Sequence, residues 1–424
     1  MHLHSKKLQD FYHLSYCSNI HPGESWAETF QNLKSYIPGI QKKIANDKEF
    51  GIGLRLSNQA SIELDSGDNL SEFKTWLSEQ NAYVFTMNGF PYGDFHNTCV
   101  KAGVHKPDWA SEERLTYTKR LFRQLSYLLP AKGEGGISTS PLSYRHWHAT
   151  EEDLSKCKKL AAENLIKIAT FLYTLHSETD QYLHLDIEPE PDGVLENSQD
   201  VINFFNNELI PEGIKQFKTL FKITDEEARK IILTHITVCY DICHFALAYE
   251  EPELTLKKFR NEGIQIGKVQ ISSALKADFN RAELNKGDIN KGCSNKASRK
   301  KIFDALQSFD ELVYLHQVTG FKDQLFVAYS DISELPFDDG YSELRAHFHV
   351  PVFVNDYGLL QSTQSQARAV IQLLAEKMFT RHLEVETYTW MVLPDELKLE
   401  LSASIVREME WVIDQFNGAS GDSN

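Results

Sequence analysis

Several short apolar stretches of this 424-residue chain end on side chains that ligate cations or carry protons. Tyr182-Leu-His-Leu-Asp-Ile-Glu188-Pro-Glu-Pro closes on an acid followed at once by prolines, which packing explains poorly. Thr237-Val-Cys-Tyr-Asp241-Ile-Cys-His244 ends on an acid with an imidazole three residues on. Lys268-Val-Gln270-Ile-Ser carries an amide. His347-Phe-His349-Val-Pro places two imidazoles on one face of an extended segment, and His382-Leu-Glu384-Val-Glu386 does the same with two carboxylates. Of that last pair, Glu386 is nearer the strand end and is the candidate ligand. Carboxylates joined by an amide or imidazole make an oxygen-rich divalent site that suits Mg²⁺ or Mn²⁺; added imidazole moves the choice toward Mn²⁺, Co²⁺ or Zn²⁺. Each residue also has a plainer reading. Glu188 could cap a turn, Asp241 a helix, His244 could be a satisfied rim histidine, and a buried Gln in a strand is often structural.

What must position these groups is a recurring strand and helix. Strand candidates end at Tyr16, Leu56, Phe85, Ile187, Tyr240, Ile271, Val350 and Val385, several of them apolar on both faces. Between them, Ala161, Leu165, Ile168, Leu172 and Leu175 mark an amphipathic helix opened by Thr150. Pro394-Asp-Glu opens the last helix. Eight strands alternating with helices predict a single (β/α)8 barrel over residues 1–417, with a frayed tail at 418–424. A barrel takes ~250 residues, so ~170 are surplus. They are expected as insertions after strand three (Pro91 to Ala149), after strand six (Ala274 to Phe309) and before strand seven (Leu312 to Leu335). The last would hold an extra strand pair, Leu312–Val318 and Leu325–Tyr329. Gly133-Glu-Gly-Gly136 reads as a loop. An open doubly wound sheet would carry a Gly-rich turn after strand one, where this chain has Cys17-Ser-Asn-Ile-His-Pro-Gly23. In a barrel, chemistry sits at the C-terminal strand ends, which also brings His21, Arg55 and Asn88 forward as substrate contacts.

Composition narrows the partners. Lys and Arg number 44 against 60 Asp and Glu, a net charge of −16, which disfavours a nucleic-acid partner. Residues 276–301 run the other way, with eight basic residues against three acidic, and would steer an anionic substrate if they form a lid. Six cysteines without a Cys-x-x-Cys pair favour a reducing cytoplasm. No apolar run reaches the ~18 residues of a membrane span, and Met1 to Asp10 carries no secretory signal.

The order Glu188, Asp241-x-x-His244, Gln270, Glu386 resembles the xylose isomerase-like TIM barrels, which include sugar isomerases, ketose epimerases and the endonuclease IV type of repair nuclease. A Gln at the strand-six place is similar to hydroxypyruvate isomerase; epimerases usually have His. Ser15-Tyr-Cys-Ser-Asn-Ile-His-Pro-Gly-Glu-Ser-Trp26, His347-Phe-His-Val-Pro351 and Leu383-Glu-Val-Glu-Thr-Tyr-Thr-Trp390 resemble the E component of the Ebo-cluster metabolite traffic proteins. The superfamily resemblance implies one divalent ion (Mn, Mg, Co or Zn) held by Glu188, Asp241, Gln270 and Glu386. It implies that Glu188 and Glu386 also move protons beside a carbonyl, and that His244, His347 and His349 contact substrate. The substrate would be a polyhydroxylated or phosphorylated small metabolite. The narrower resemblance implies a natural-product trafficking pathway, with other proteins of that pathway as partners. The alternatives are a non-catalytic metabolite-binding barrel and an endonuclease IV-like metal phosphoesterase, for which His347 and His349 would be ligands.

Overall fold

The structure is a computed structural model that describes all residues except 6, 47, 94–100, 281–291, 311–314, 391–397 and 421–424. Its centre is a nine-stranded sheet. Eight strands run parallel: β2 (Asp10–Tyr16), β3 (Phe50–Arg55), β4 (Ala82–Asn88), β5 (Glu134–Thr139), β6 (Tyr182–Ile187), β7 (Ile236–Asp241), β8 (Ile266–Ile271) and β15 (His382–Val385). The ninth, β1 (His2–Ser5), lies antiparallel on β2, and the order is β1-β2-β15-β8-β7-β6-β5-β4-β3. The sheet nearly closes on itself. A parallel bridge joins Cys17 to Gly53, and the Met1 amine donates to the Leu14 carbonyl at 2.6 Å in the gap between β2 and β3. Gly51 makes room for that wedge, since a Cβ there would lie 2.9 Å from the Met1 nitrogen. Helices pack round the outside, which is why the parallel strands are apolar on their outer faces. Thr150 caps the helix Glu151–Thr179 by accepting from the Asp153 amide, as the sequence predicts.

The strand count of eight holds, but one member changes. Glu134–Thr139, read as beginning in a loop, is β5, and it carries glycines for a packing reason. A Cβ on Gly135 would lie 2.9 Å from Leu129, and one on Gly136 would lie 2.2 Å from the His184 ring. His347–Val350, read as a strand, is irregular backbone. Its amides reach three different places: His347 to Gln317 O, Phe348 to Ala346 O and Val350 to Ser273 O. Glu188 therefore follows the fifth barrel strand, Asp241 ends the sixth, Gln270 lies next to the end of the seventh and Glu386 follows the eighth.

The expected insertions change with it. The segment after β4 contains the helix Glu112–Leu128 and β5 itself. The other two belong to one excursion between β8 and β15, which builds a second sheet. Its strands are β9 (Leu275–Asp278), β10 (Val318–Lys322), β11 (Leu325–Tyr329), β12 (Tyr341–Ala346), β13 (Asp356–Tyr357) and β14 (Leu360–Ser362). They pair antiparallel in the order β11-β10-β12-β9-β14-β13 around their own apolar cluster, with Phe279, Phe303, Leu306 and Leu344 inside. Residues 312–314 of the expected strand lie outside the described residues, 315–317 are irregular, and the partner of β11 is Val318–Lys322 instead. Pro394 and residues 281–291 of the basic segment also lie outside; of the rest, Lys276 stands in β9 and Arg299 is spent on the Phe279 and Tyr341 carbonyls. The last helix is described over Leu401–Ser420, so residues 418–420 continue it rather than starting a tail. No helix among the described residues is long and apolar enough to cross a membrane.

The barrel interior is polar through its depth. Lys268 Nζ donates to Ser138 Oγ at 3.1 Å and to Glu384 Oε1 at 3.2 Å, with both charged side chains fully buried. His184 Nδ1 lies 2.5 Å from Asp186 Oδ1, which also accepts from Thr237. A Cβ on Gly267 would collide with Asp186, so glycine leaves the space this layer fills.

Candidate metal centre

Asp241 is the last residue of β7 and caps the one-turn helix Ile242–Leu247. Its Oδ1 accepts from the His244 amide at 3.1 Å and from Ser272 Oγ at 2.7 Å. Its Oδ2 is buried with no hydrogen-bond partner. The capping reading and the ligand reading thus use different oxygens of one carboxylate. Glu188 follows β6 and is fixed through its backbone, which donates to Thr139 O at 2.9 Å. Its Oε2 is also buried without a partner. Glu386 follows β15, where its Oε1 accepts from Asn19 Nδ2 at 2.7 Å and Asn88 Nδ2 at 3.0 Å. Two amide donors on one oxygen hold the carboxylate in place and leave Oε2 as the oxygen at work. Gln270 stands in register with Asp241 and Glu384; its Oε1 lies 3.0 Å from Cys239 Sγ, and its Nε2 has no partner. Amide oxygen and nitrogen interchange by a half-turn. In the turned form the nitrogen meets sulfur and the oxygen becomes the unpartnered atom.

Burial pushes the Glu188 and Glu386 carboxyls well above the usual range. For Glu188 the charges of Glu386 and Asp241 add to the effect, and for Glu386 those of Asp241 and Glu384. Lys268, beneath them, pulls both the other way. Buried carboxylates that feel one another's charge need a cation or a proton among them. The unpartnered Glu188 Oε2, Asp241 Oδ2 and Gln270 amide atom fit a divalent ion better than they fit a closed hydrogen-bond network.

A second donor set stands beside the first. His244 Nδ1 lies 3.0 Å from Pro189 O, His347 Nδ1 2.8 Å from Gln317 Oε1, and His349 Nδ1 3.2 Å from Glu386 O. An oxygen that only accepts requires the proton on each Nδ1, so every Nε2 carries a lone pair. Yet those lone pairs face one another: His244 Nε2 is 3.0 Å from His347 Nε2 and 3.3 Å from His349 Nε2. Burial pushes the His244 and His347 rings well below their ordinary value, with neighbouring imidazoles adding to it. Converging lone pairs repel unless a proton or a metal ion lies between them. A tetrahedral ion with ~2.0 Å bonds to nitrogen sets its ligands ~3.3 Å apart. The two sets adjoin, since His349 Nδ1 is 3.7 Å from Glu386 Oε2 and 4.0 Å from Asp241 Oδ2.

No protein-family model matches the chain, and no curated protein matches it. Among solved structures it is similar to a xylose isomerase-like TIM barrel protein from Mycobacterium smegmatis in complex with magnesium. That match has 10% identity over 96% of this chain and 97% of that chain, with TM-score 0.48. It is similar to the IOLI protein with a zinc atom, at 11% identity over 96% of this chain and 98% of that one, TM-score 0.47. It is also similar to 3-keto-D-glucoside 4-epimerase from E. coli, at 15% identity over 72% and 90%, TM-score 0.35. The likeness is of fold alone. The site is therefore read from its own residues.

Of the sequence candidates, Asn88, Glu188, His244, His347, His349 and Glu386 line one pocket at the barrel mouth. Asn88 acts there by holding Glu386. His21 and Arg55 are placed elsewhere. His21 meets the Tyr16 hydroxyl at 2.9 Å and stacks on Tyr36. Arg55 is spent on the Gly23 and Gly93 carbonyls and on Glu24, latching two loops together. The pocket also uses residues that the sequence reading passed over. Asn19 holds Glu386, Tyr388 stacks on His349, and buried His105 pairs with Glu190 at 3.0 Å. Asn19 and Glu190 lie inside strand-end motifs; His105 ends the single 3-10 turn Lys101–His105, too short to show a periodicity.

Proposed function

We propose that this chain is a divalent-metal-dependent isomerase or epimerase of the xylose isomerase-like kind, acting on a small polyhydroxylated or phosphorylated metabolite. The observation that carries the reading is the pair Glu188 and Glu386. They stand on strands three places apart in the sheet, they flank one pocket, and burial makes both into weak acids. A carboxyl at the pocket wall is a group of the type that takes a proton from carbon and returns it. One glutamate removes a proton from the carbon beside a carbonyl; the other delivers a proton to the opposite face or to the adjoining carbon. Asn19 and Asn88 keep the Glu386 oxygen aimed, while Glu190 and His105 present polar atoms to substrate hydroxyls. A divalent ion held by Glu188, Asp241, Gln270 and Glu386 would supply Lewis-acid polarisation of the carbonyl.

The finer reading, a natural-product metabolite handled in the cytoplasm, is supported by the motif resemblance. It is also supported by the free, buried state of Cys17, Cys157, Cys239 and Cys243. The test is hydrogen exchange in D2O with a panel of small ketoses and their phosphate esters, on protein reloaded with Mn²⁺. Wild type should exchange at the carbon beside the carbonyl, and Glu188→Gln and Glu386→Gln should not. Equal exchange in all three would overturn the assignment.

The imidazole set favours a second reading, a phosphoesterase with more than one ion. It predicts at least two metal ions per chain by elemental analysis, and hydrolysis of p-nitrophenyl phosphate that His347→Ala abolishes.

A further inference from the structure

The end of the barrel opposite the mouth gathers another set of ligating side chains. His13 of β2, Glu134 of β5 and His382 of β15 each bring one donor atom within 4.8 Å of the others. Glu134 Oε1 is the focus, 3.8 Å from His13 Nε2 and 3.7 Å from His382 Nε2. Those separations are too long for hydrogen bonds, and Oε1 is buried with no partner. Around it the rings are fixed. His13 Nδ1 meets the Tyr83 hydroxyl at 3.0 Å, and its ring stacks on Phe85. His382 lies against Phe85 and His184. Burial pushes His13 down to about 3 and His382 well below its ordinary value, so both rings offer lone pairs at neutral pH.

We propose that His13, Glu134 and His382 bind a zinc-class divalent cation on the barrel floor, with the remaining position open to water. Two neutral imidazoles and a carboxylate form a donor set that zinc accepts. The two edges to Glu134 are ~0.4 Å wider than the ~3.3 Å edge of a tetrahedral site, a closure that rotation of the partly exposed Glu134 side chain supplies, and the two imidazole donors lie within 4.8 Å of each other. Glu134 is partly exposed and gives a route from solvent. Arg381 is the opposing charge, 3.9 Å from Glu134 Oε2, but its other nitrogen is bound by Asp10. The Lys268–Glu384 and His184–Asp186 pairs separate this floor from the mouth. Because β2 and β15 are neighbours and β5 lies across the barrel, the ion would tie opposite walls together.

The full-length chain, stripped and reloaded with Zn²⁺, tests this by zinc content after gel filtration and by a zinc anomalous map. Wild type should hold one more zinc per chain than Glu134→Gln, with a peak between His13, Glu134 and His382. Glu386→Gln, altered only at the mouth, should keep that peak whatever becomes of the proposed reaction. His13→Gln serves as the second variant if Glu134→Gln does not fold. Equal zinc content in wild type and the floor variant, or a map without a peak there, overturns the site.

Discussion

At the residue scale, the site works through which oxygen of each acid is already engaged. Glu386 Oε1 takes two amide donors, so removing either loosens the other oxygen. Partners behind a ligand commonly contribute 10–100-fold in metal affinity. Asn19→Ala should therefore weaken Mn²⁺ binding by about tenfold in a calorimetric titration; unchanged affinity would remove Asn19 from the site. Glu408, on the last helix, makes a different point. Its Oε1 accepts from the Val352 amide and Thr387 Oγ1, and burial raises its carboxyl to about 7. The folded chain thus keeps a proton that the unfolded chain loses near 4.5. The stability this provides is full below that value and lost as pH rises toward 7, on the order of 3 kcal/mol in all. Glu408→Gln keeps both hydrogen bonds and cannot ionise. Urea unfolding at pH 5 and pH 8 should show wild type losing stability relative to the variant. Glu188, Asp241 and Glu386 stand out in the sequence because each is an acid at the end of a short apolar strand; that they and Gln270 share an ion rests on the resemblance and remains the proposal. His21 and Arg55 were misplaced because strand position does not reveal which loop a long side chain will latch.

At the element scale, the barrel was legible from short strands with an apolar outer face alternating with amphipathic helices. β5 escaped because two of its six residues are glycine, and glycine there reports close approach rather than a turn. Segment 347–350 alternates like a strand, and its two histidines do reach one pocket, but its amides pair with Gln317, with Ser273 and with the adjoining Ala346 instead of one partner strand. Pattern fixed where the side chains point, and hydrogen bonding decided what the backbone is. The same glycine logic predicts a cost at β8. Asp186 is locked by His184 and Thr237, so a methyl at Gly267 has no soft neighbour to displace. Gly267→Ala should destabilise by about 1–3 kcal/mol in urea unfolding, the usual range for overpacking a filled core. A neutral result would mean that the polar layer can rearrange.

At the scale of the whole molecule, the net charge of −16 matters less than where the acids stand. Glu188, Asp241, Glu384 and Glu386 share one buried region with Lys268 as the cation among them. Without metal, burial and the neighbouring acids favour the protonated forms of Glu188 and Glu386, with Lys268 pulling the other way. The stability that those protons protect is present at low pH and declines as pH rises through the raised values. A divalent ion reverses this dependence, because it binds the carboxylate form and displaces protons. The gap in melting temperature between Mn²⁺-loaded and stripped protein should therefore widen from pH 6 to pH 8. A ligand at 100 times its Kd adds about 2.7 kcal/mol, enough for a shift of a few degrees in a chain this size. The same loading, followed by calorimetry in buffers of different ionisation enthalpy, should show net proton release. A gap that stays flat or narrows with pH, with no protons released, would mean that the acids at the mouth are held by one another and do not bind the ion.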